Sequence, residues 1–257
     1  MPWNPDTYNQ FKDIRFQPFF DLMSLISDRN LNNAIDVGCG TGEQTAILSK
    51  HFANANFVGI DNSTEMLEKS SHLQTEHLKF EQQTIEDFAQ GSQTYDLIFS
   101  NAALQWSDTH EELFPKIISK LNNNGQLAIQ MPVQNENTLN QILLKMVQGP
   151  QYAQQLNGFV RHSPVLSIDD YTKLLFDNGL TDINISLKVY PIIANSATEL
   201  FNFISGSALV PYFERLTDTE QTAFKEDFVN RINAHYTKFP AIYPFKRILM
   251  YGTTISD

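Results

Sequence analysis

The stretch "IDVGCGTGEQT", residues 35–45, runs from an apolar, β-type segment into three glycines at alternating positions, Gly38, Gly40 and Gly42, with Asp36 two residues ahead of the first. Glycine has no Cβ, so a backbone of this kind can turn tightly and come within contact distance of a ligand. The segment that follows, "GEQTAILSKHF", has the apolar spacing of an amphipathic helix, and a helix beginning near Glu43 presents unpaired amides to the same loop. In an open α/β sheet the loop after the first strand lines the crevice where strand order reverses, which is where ligands bind.

The spacing separates two ligand classes. A dinucleotide site uses G-x-G-x-x-G, with the pyrophosphate on the helix N-terminus. Here the pattern is G-x-G-x-G behind an aspartate. A carboxylate aimed at the same cavity repels a pyrophosphate and favours a cation, which points to S-adenosylmethionine, an ammonium beside a sulfonium. The second strand ends at Asp61, nineteen residues past Gly42, where a carboxylate can accept hydrogen bonds from both ribose hydroxyls. NAD sites use the same device, so Asp61 alone does not discriminate. A bare glycine triplet is also compatible with an ordinary tight turn. Strand, acid, triplet, helix, strand and second acid in this order are not.

Working outward, "AIDVG", "NFVGID", "LKFEQQT", "YDLIFSN" and "GQLAIQMP" read as strands, separated by the helical patterns "GEQTAILSKHF", "STEMLEKSSH" and "HEELFPKIISKL". This alternation predicts an α/β fold with a doubly wound, mostly parallel sheet. Ser63 or Thr64 would cap the second helix, and Asn124 and Gly125 would turn into the fifth strand. The rhythm changes after Pro132. "SIDDYTKLLFDNG" and "TDINISLKVYPII" continue the core as a helix and a strand, and "YPFKRILMYGTTI" supplies the last strand. The expected organisation is one domain over 1–257: a core of 30–132, 166–194 and 241–257, a mainly helical cap of 133–165 and 195–240, and an N-terminal lid of 1–20.

A chain of 257 residues, 42% hydrophobic and 18% charged, can bury a sizeable core and is not disordered wholesale. No run approaches the roughly 18 apolar residues of a membrane span, and the N-terminus lacks a signal-peptide layout, so a cytoplasmic location is expected. The single cysteine, Cys39, excludes an internal disulfide framework and offers no metal-site spacing. A net charge of −11 opposes binding to nucleic acid or an anionic membrane. A small molecule is the expected partner.

After the fourth strand comes "SNAALQW", residues 100–106, where Trp106 would either cover a bound nucleoside, wall the acceptor pocket or simply pack in the core. With "DVGCGTG", "GIDNS" and "YDLIFSNAALQW", residues 33–132 resemble the class I S-adenosylmethionine-dependent methyltransferases. "WNPDTYNQF", "ELFPKI", "GQLAIQMP" and "LTDTEQTAFKEDFVNRI" extend the likeness to the trans-aconitate methyltransferase family over most of the chain. The resemblance implies a seven-stranded, Rossmann-like sheet with its last strand antiparallel. It implies that Asp36, Gly38, Cys39, Gly40 and Gly42 hold the methionyl part of S-adenosyl-L-methionine, that Asp61 holds the ribose, and that Asn62 and Met66 flank the adenine. Asn101, Ala102 and Trp106 would close the site near the sulfonium. Where many relatives carry an aspartate for the adenine amino group, this chain has Thr84 beside Ile85, whose hydroxyl or backbone would have to serve. Tyr8, Phe11 and Arg15, spaced i, i+3, i+7, would form one face of a lid over the cofactor or of a surface helix.

Methyl transfer from a sulfonium is an in-line displacement, and alignment alone can supply roughly 7–11 kcal/mol of the barrier. A carboxylate acceptor, with an ordinary pKa near 4, is already ionised and needs no base; an amine, phenol or carbon acid would need one. No His/Asp or paired-carboxylate constellation stands out. The expected substrate-side set is Tyr8, Trp106, Arg161 and His162, with Arg161 clamping a carboxylate through the fork of its guanidinium. Arg215, Lys246 and Arg247 are alternatives, the last two opening a strand and facing solvent. The expected activity is O-methylation of a carboxylate on a small organic acid such as trans-aconitate. The rivals are a carrier-bound malonyl group or another lipophilic acid, favoured by the aromatic "FNF", "PYF" and "FPAIYPF", and a non-catalytic S-adenosylmethionine sensor.

Overall fold

The structure, a computed structural model, describes residues 12–255. Seven strands, β1 (Asn33–Val37), β2 (Asn56–Asp61), β3 (Leu78–Gln82), β4 (Tyr95–Asn101), β5 (Leu121–Pro132), β6 (Leu180–Ala194) and β7 (Ala241–Thr254), form one sheet in the order β3-β2-β1-β4-β5-β7-β6. β1 to β5 are parallel, as the doubly wound reading anticipated, and β7 runs antiparallel to β5, as the family resemblance implied. The chain leaves β1 toward β2 and β3, then returns to the other side of β1 for β4. That reversal opens a crevice beyond the carboxyl ends of β1 and β4. Both strands are near-continuous buried runs, the pattern of central parallel strands covered on both faces.

The first helices are α1 (Lys12–Met23), α2 (Glu43–His51), α3 (Thr64–Ser70), α4 (Ile85–Gln90) and α5 (His110–Ile118). Then follow α6 (Thr138–Val147), α7 (Pro150–Gln155), α8 (Ile168–Asp177), α9 (Ala197–Ser205), α10 (Val210–Phe213) and α11 (Asp218–His235). Ser63 is the cap of α3, its hydroxyl accepting from the Met66 amide at 3.3 Å. No helix among the described residues is long and apolar enough to cross a membrane.

One compact unit holds Phe16–Pro132, Pro164–Lys188 and the chain from Arg247. Its core joins Phe19 and Leu22 of α1 to Phe57, Leu97, Phe99 and Ala128 of the sheet, with the Phe19 ring edge-on to Phe99 at 5.8 Å. Burying each such side chain stabilises by roughly 1.5–3 kcal/mol. Phe19 lies within the segment expected as a lid, yet it is core. The turn residues Asn124 and Gly125 fall inside β5: Tyr95 pairs with Leu121 and Leu97 with Gln126, so residues 122–125 form an irregularity that the strand passes through.

The other unit contains Val133–Ser163 and Val189–Lys246. Leu139, Leu143 and Met146 of α6 pack with Tyr152, Phe201, Phe224, Phe228 and Ile232. The aromatic motifs of the sequence belong to this core: Phe201, Phe203, Tyr212, Tyr243 and Phe245 are all buried in it. They are used for packing within this unit.

Candidate cofactor crevice

The three glycines do different work. Gly38, at φ +80°, would place a Cβ 2.1 Å from that of Ala103, so the loop after β4 can approach only because no side chain is there. Gly42, at φ +75°, would collide with the Phe80 ring at 2.5 Å. A Cβ on Gly40 would meet nothing within 4 Å. Gly40 is therefore the bare backbone that faces open space, and its two companions hold the loop against its neighbours. The amides of Gly38 and Cys39 both donate to the Ile60 carbonyl, at 2.8 and 2.9 Å, which fixes the turn to the end of β2. Cys39 is buried, and burial with the nearby carboxylates of Asp36 and Asp61 pushes its thiol far up. It packs and does not react.

Asp61 ends β2 with Oδ2 accepting from the Gly40 amide and Oδ1 from the Ser63 amide, both at 2.9 Å. Each carboxylate oxygen has a second lone pair, so two further donors can be accepted. Asn62 and Met66 are exposed beside it, and Gln82 Nε2 donates to the Asn62 carbonyl at 3.2 Å. The Thr84 hydroxyl caps α4, accepting from the Asp87 amide at 3.0 Å, and Ile85 opens that helix.

Asp36 differs from expectation. The carboxylate is only 3% exposed and does not stand in an open cavity; the Thr45 hydroxyl donates to its Oδ2 at 2.6 Å. Burial raises its pKa to about 7, opposed by the Thr45 bond and aided by the charge of Asp61. The strand-ending residue Asn101 donates from Nδ2 to Gln44 Oε1 of α2 at 2.9 Å, and its Oδ1 is buried with no hydrogen-bond partner among the described residues. Ala102 follows at φ +58°.

This donor set fits S-adenosylmethionine. The spare lone pairs of the Asp61 carboxylate and the unsatisfied Asn101 amide oxygen are acceptors, matched to ribose hydroxyls and an ammonium, and the buried Asp36 carboxyl lies behind them. A pyrophosphate would meet the wrong sign of charge.

Trp106 lies on the 3₁₀ turn Leu104–Trp106 and is exposed, where it lines a cleft of about 320 Å³ with Glu86, Asp108, Glu112 and Lys116. Three carboxylates against one ammonium make that cleft hostile to an anionic acceptor. The turn itself is held by a residue that the sequence did not single out. His110, fully buried, meets the Leu104 carbonyl through Nε2 at 2.9 Å and the Tyr171 hydroxyl through Nδ1 at 2.5 Å. Burial lowers its pKa. A donor at Nε2 and an acceptor at Nδ1 describe one neutral tautomer.

Of the substrate-side expectations, Tyr8 lies outside the described residues, and of Arg15 only the helical backbone is described. Arg161 is half-buried in the helical unit, its amide donating to the Tyr212 hydroxyl at 3.2 Å, and His162 is exposed. Arg215 stacks over Phe159 at 3.7 Å and donates to the Pro211 carbonyl at 2.6 Å. Lys246 donates to the Glu136 carbonyl at 2.7 Å. Arg247 corrects the expectation of a solvent-facing strand opener: it sits within β7, half-buried, and its Nη1 donates to Gln130 Oε1 at 2.6 Å.

Residues 28–179 match the family model described as "Methyltransferase domain". The chain is 37% identical to a trans-aconitate 2-methyltransferase of Deinococcus radiodurans over 98% of each chain. Its fold superposes on the YcgJ protein of Bacillus subtilis with a TM-score of 0.63 at 15% identity, covering 93% of this chain and 99% of that one. It also superposes on a Haemonchus contortus phosphoethanolamine N-methyltransferase 2 in complex with S-adenosyl-L-methionine, with a TM-score of 0.58 at 12% identity. That match covers 93% of this chain, which spans about half (52%) of the longer protein.

Proposed function

The chain belongs to the methyltransferase domain family, and from there we propose that it methylates a carboxylate oxygen of a small organic acid, with trans-aconitate the leading candidate. It is an S-adenosylmethionine-dependent methyltransferase. The observation that carries the acceptor reading is the end-to-end likeness to a relative named for that acid. The packing of the cap aromatics into their own core supports it against a lipophilic acceptor.

The bound cofactor supplies a methyl group on a positively charged sulfur. The protein's part is to bind, orient and exclude water. Gly40 and the first amides of α2 would receive the methionyl end, with Asp36 ionised and the Asn101 Oδ1 accepting from it. Asp61 would take the ribose hydroxyls through its remaining lone pairs. Asn62, Met66, Thr84 and the Ile85 amide would surround the adenine, with Ala102 and Trp106 beside the sulfur. A carboxylate arrives ionised at neutral pH, so no proton has to be removed and alignment is the main task.

The test is incubation of the purified protein with methyl-labelled S-adenosylmethionine and a panel of organic acids, followed by mild alkali. The reading expects label released as volatile methanol from a tricarboxylate. Label that resists alkali, or none transferred to any acid, would contradict it.

A further inference from the structure

Asn101 and Gln130 face each other as register partners on the adjacent parallel strands β4 and β5, so their side chains leave the same face of the sheet. Each amide is anchored at one end: Asn101 through Gln44, and Gln130 through the Arg247 guanidinium. The other end of each is buried without a hydrogen-bond partner among the described residues, an acceptor on Asn101 and a donor, Nε2, on Gln130. Gln130 has no exposed surface at all. Buried polar atoms in folded proteins are nearly always paired, so two complementary orphans on register partners need an explanation. They lie at the ligand-binding end of the central strands, with Asn101 tied to the helix that follows the glycine loop and Gln130 tied to a cation.

The orphans divide the face by polarity. Asn101 Oδ1 suits an N–H or O–H of the cofactor. Gln130 Nε2, beside a guanidinium whose plane the Gln130 oxygen helps to fix, suits a carboxylate. A carboxylate gripped this way gives its lone pairs to N–H donors and is a poor nucleophile, so it is not the one that accepts the methyl group. We propose that Gln130 and Arg247 bind a second, non-reacting carboxylate of the acceptor, which makes this protein selective for di- and tricarboxylates over monocarboxylates. The proposal rests on the carboxyl-acceptor reading above and replaces Arg161 as the clamp. It also answers a problem of charge: a chain of net charge −11 needs a local cation to draw in a polyanion.

The experiment is calorimetric titration of trans-aconitate, and of a monocarboxylate of similar size, into protein saturated with S-adenosylhomocysteine, alongside KM and kcat for methyl transfer. Wild type should bind the tricarboxylate at least about tenfold more tightly. Arg247→Lys, which keeps the charge but loses the fork, should weaken tricarboxylate binding on the order of 10- to 100-fold. It should leave monocarboxylate and S-adenosylhomocysteine affinities unchanged and raise KM more than it lowers kcat. Gln130→Glu, which keeps the packing and pairs with Arg247, should lose the tricarboxylate with the thermal midpoint preserved. The assignment is overturned if both variants keep wild-type selectivity, or if Arg161→Gln alone abolishes it. A wild type that esterifies acids while the variants match it overturns this assignment only. A wild type that forms no ester on any acid overturns the carboxyl-acceptor reading beneath it.

Discussion

The Asp61 carboxylate accepts the Gly40 and Ser63 amides, one on each oxygen at 2.9 Å, so a single side chain fastens the glycine loop to the end of β2. The residue assigned to the ribose therefore also shapes the cradle. Asp61→Asn loses the charge and turns an N–H₂ toward one of the two amides. Affinity for S-adenosylhomocysteine should fall on the order of 10- to 100-fold by calorimetry, with the circular dichroism spectrum preserved. Unchanged affinity would remove Asp61 from the site.

Gly38 and Gly40 should fail in different ways. Gly38→Ala combines a left-handed backbone with a Cβ 2.1 Å from Ala103, and a loss of about 2–5 kcal/mol is expected in urea unfolding. Gly40→Ala puts its methyl into open space and carries only the backbone strain, roughly 1–2 kcal/mol. Its larger effect should be on cofactor affinity. Equal stability losses with unaffected binding in Gly40→Ala would contradict the division of labour among the glycines.

Asp36 sets a pH dependence. Its folded pKa, about 7, stands above the ordinary 3.8, because burial disfavours the charge. The folded state holds this proton more tightly, so the Asp36 contribution to stability is largest at low pH and is lost as pH rises from 3.8 to about 7. A cationic ligand reverses the balance by favouring the ionised form. Affinity for S-adenosylmethionine should climb with pH up to about 7 and level off above it, with proton release below that pH seen as a buffer-dependent heat. Asp36→Asn should flatten the profile; a profile that survives the substitution assigns it to another group.

The His110–Tyr171 pair acts in the opposite direction. The lowered pKa of His110 keeps it neutral when folded, so its contribution is complete above the ordinary 6.5 and declines as pH falls below it. Tyr171→Phe leaves a buried ring nitrogen without its partner and should cost about 1–3 kcal/mol at neutral pH. The Trp106 fluorescence should report loosening of the turn that His110 holds through Leu104. A Tyr171→Phe protein as stable as wild type would show that the pair is incidental.

The central strands are legible because they are short, largely apolar runs set between helical patterns; "NFVGID" and "YDLIFSN" are β2 and β4 residue for residue. The glycine spacing likewise located the crevice. The sequence could not tell which glycine faces a ligand, since that depends on Ala103 and Phe80, distant partners brought together only by the fold. Nor could it tell that Asp36 is buried, since Thr45, on the next helix, covers the carboxylate. Asn124 and Gly125 carry true turn chemistry, yet β5 begins before them, because strand pairing resumes across the irregularity. Gln130 gave an overlooked signal, an amide inside the apolar run "LAIQMP" of a central strand, where a polar side chain needs a partner. Arg247, in "FKRILM", partners its oxygen.

The most direct test is transfer from S-adenosylmethionine carrying a trideuterated methyl group, with the product of trans-aconitate identified by mass spectrometry and proton NMR. The account predicts a monomethyl ester bearing the intact deuterated methyl on a carboxylate oxygen. A methyl group found on carbon or nitrogen, or unmodified trans-aconitate beside an acceptor of another chemical class that is methylated, would contradict it.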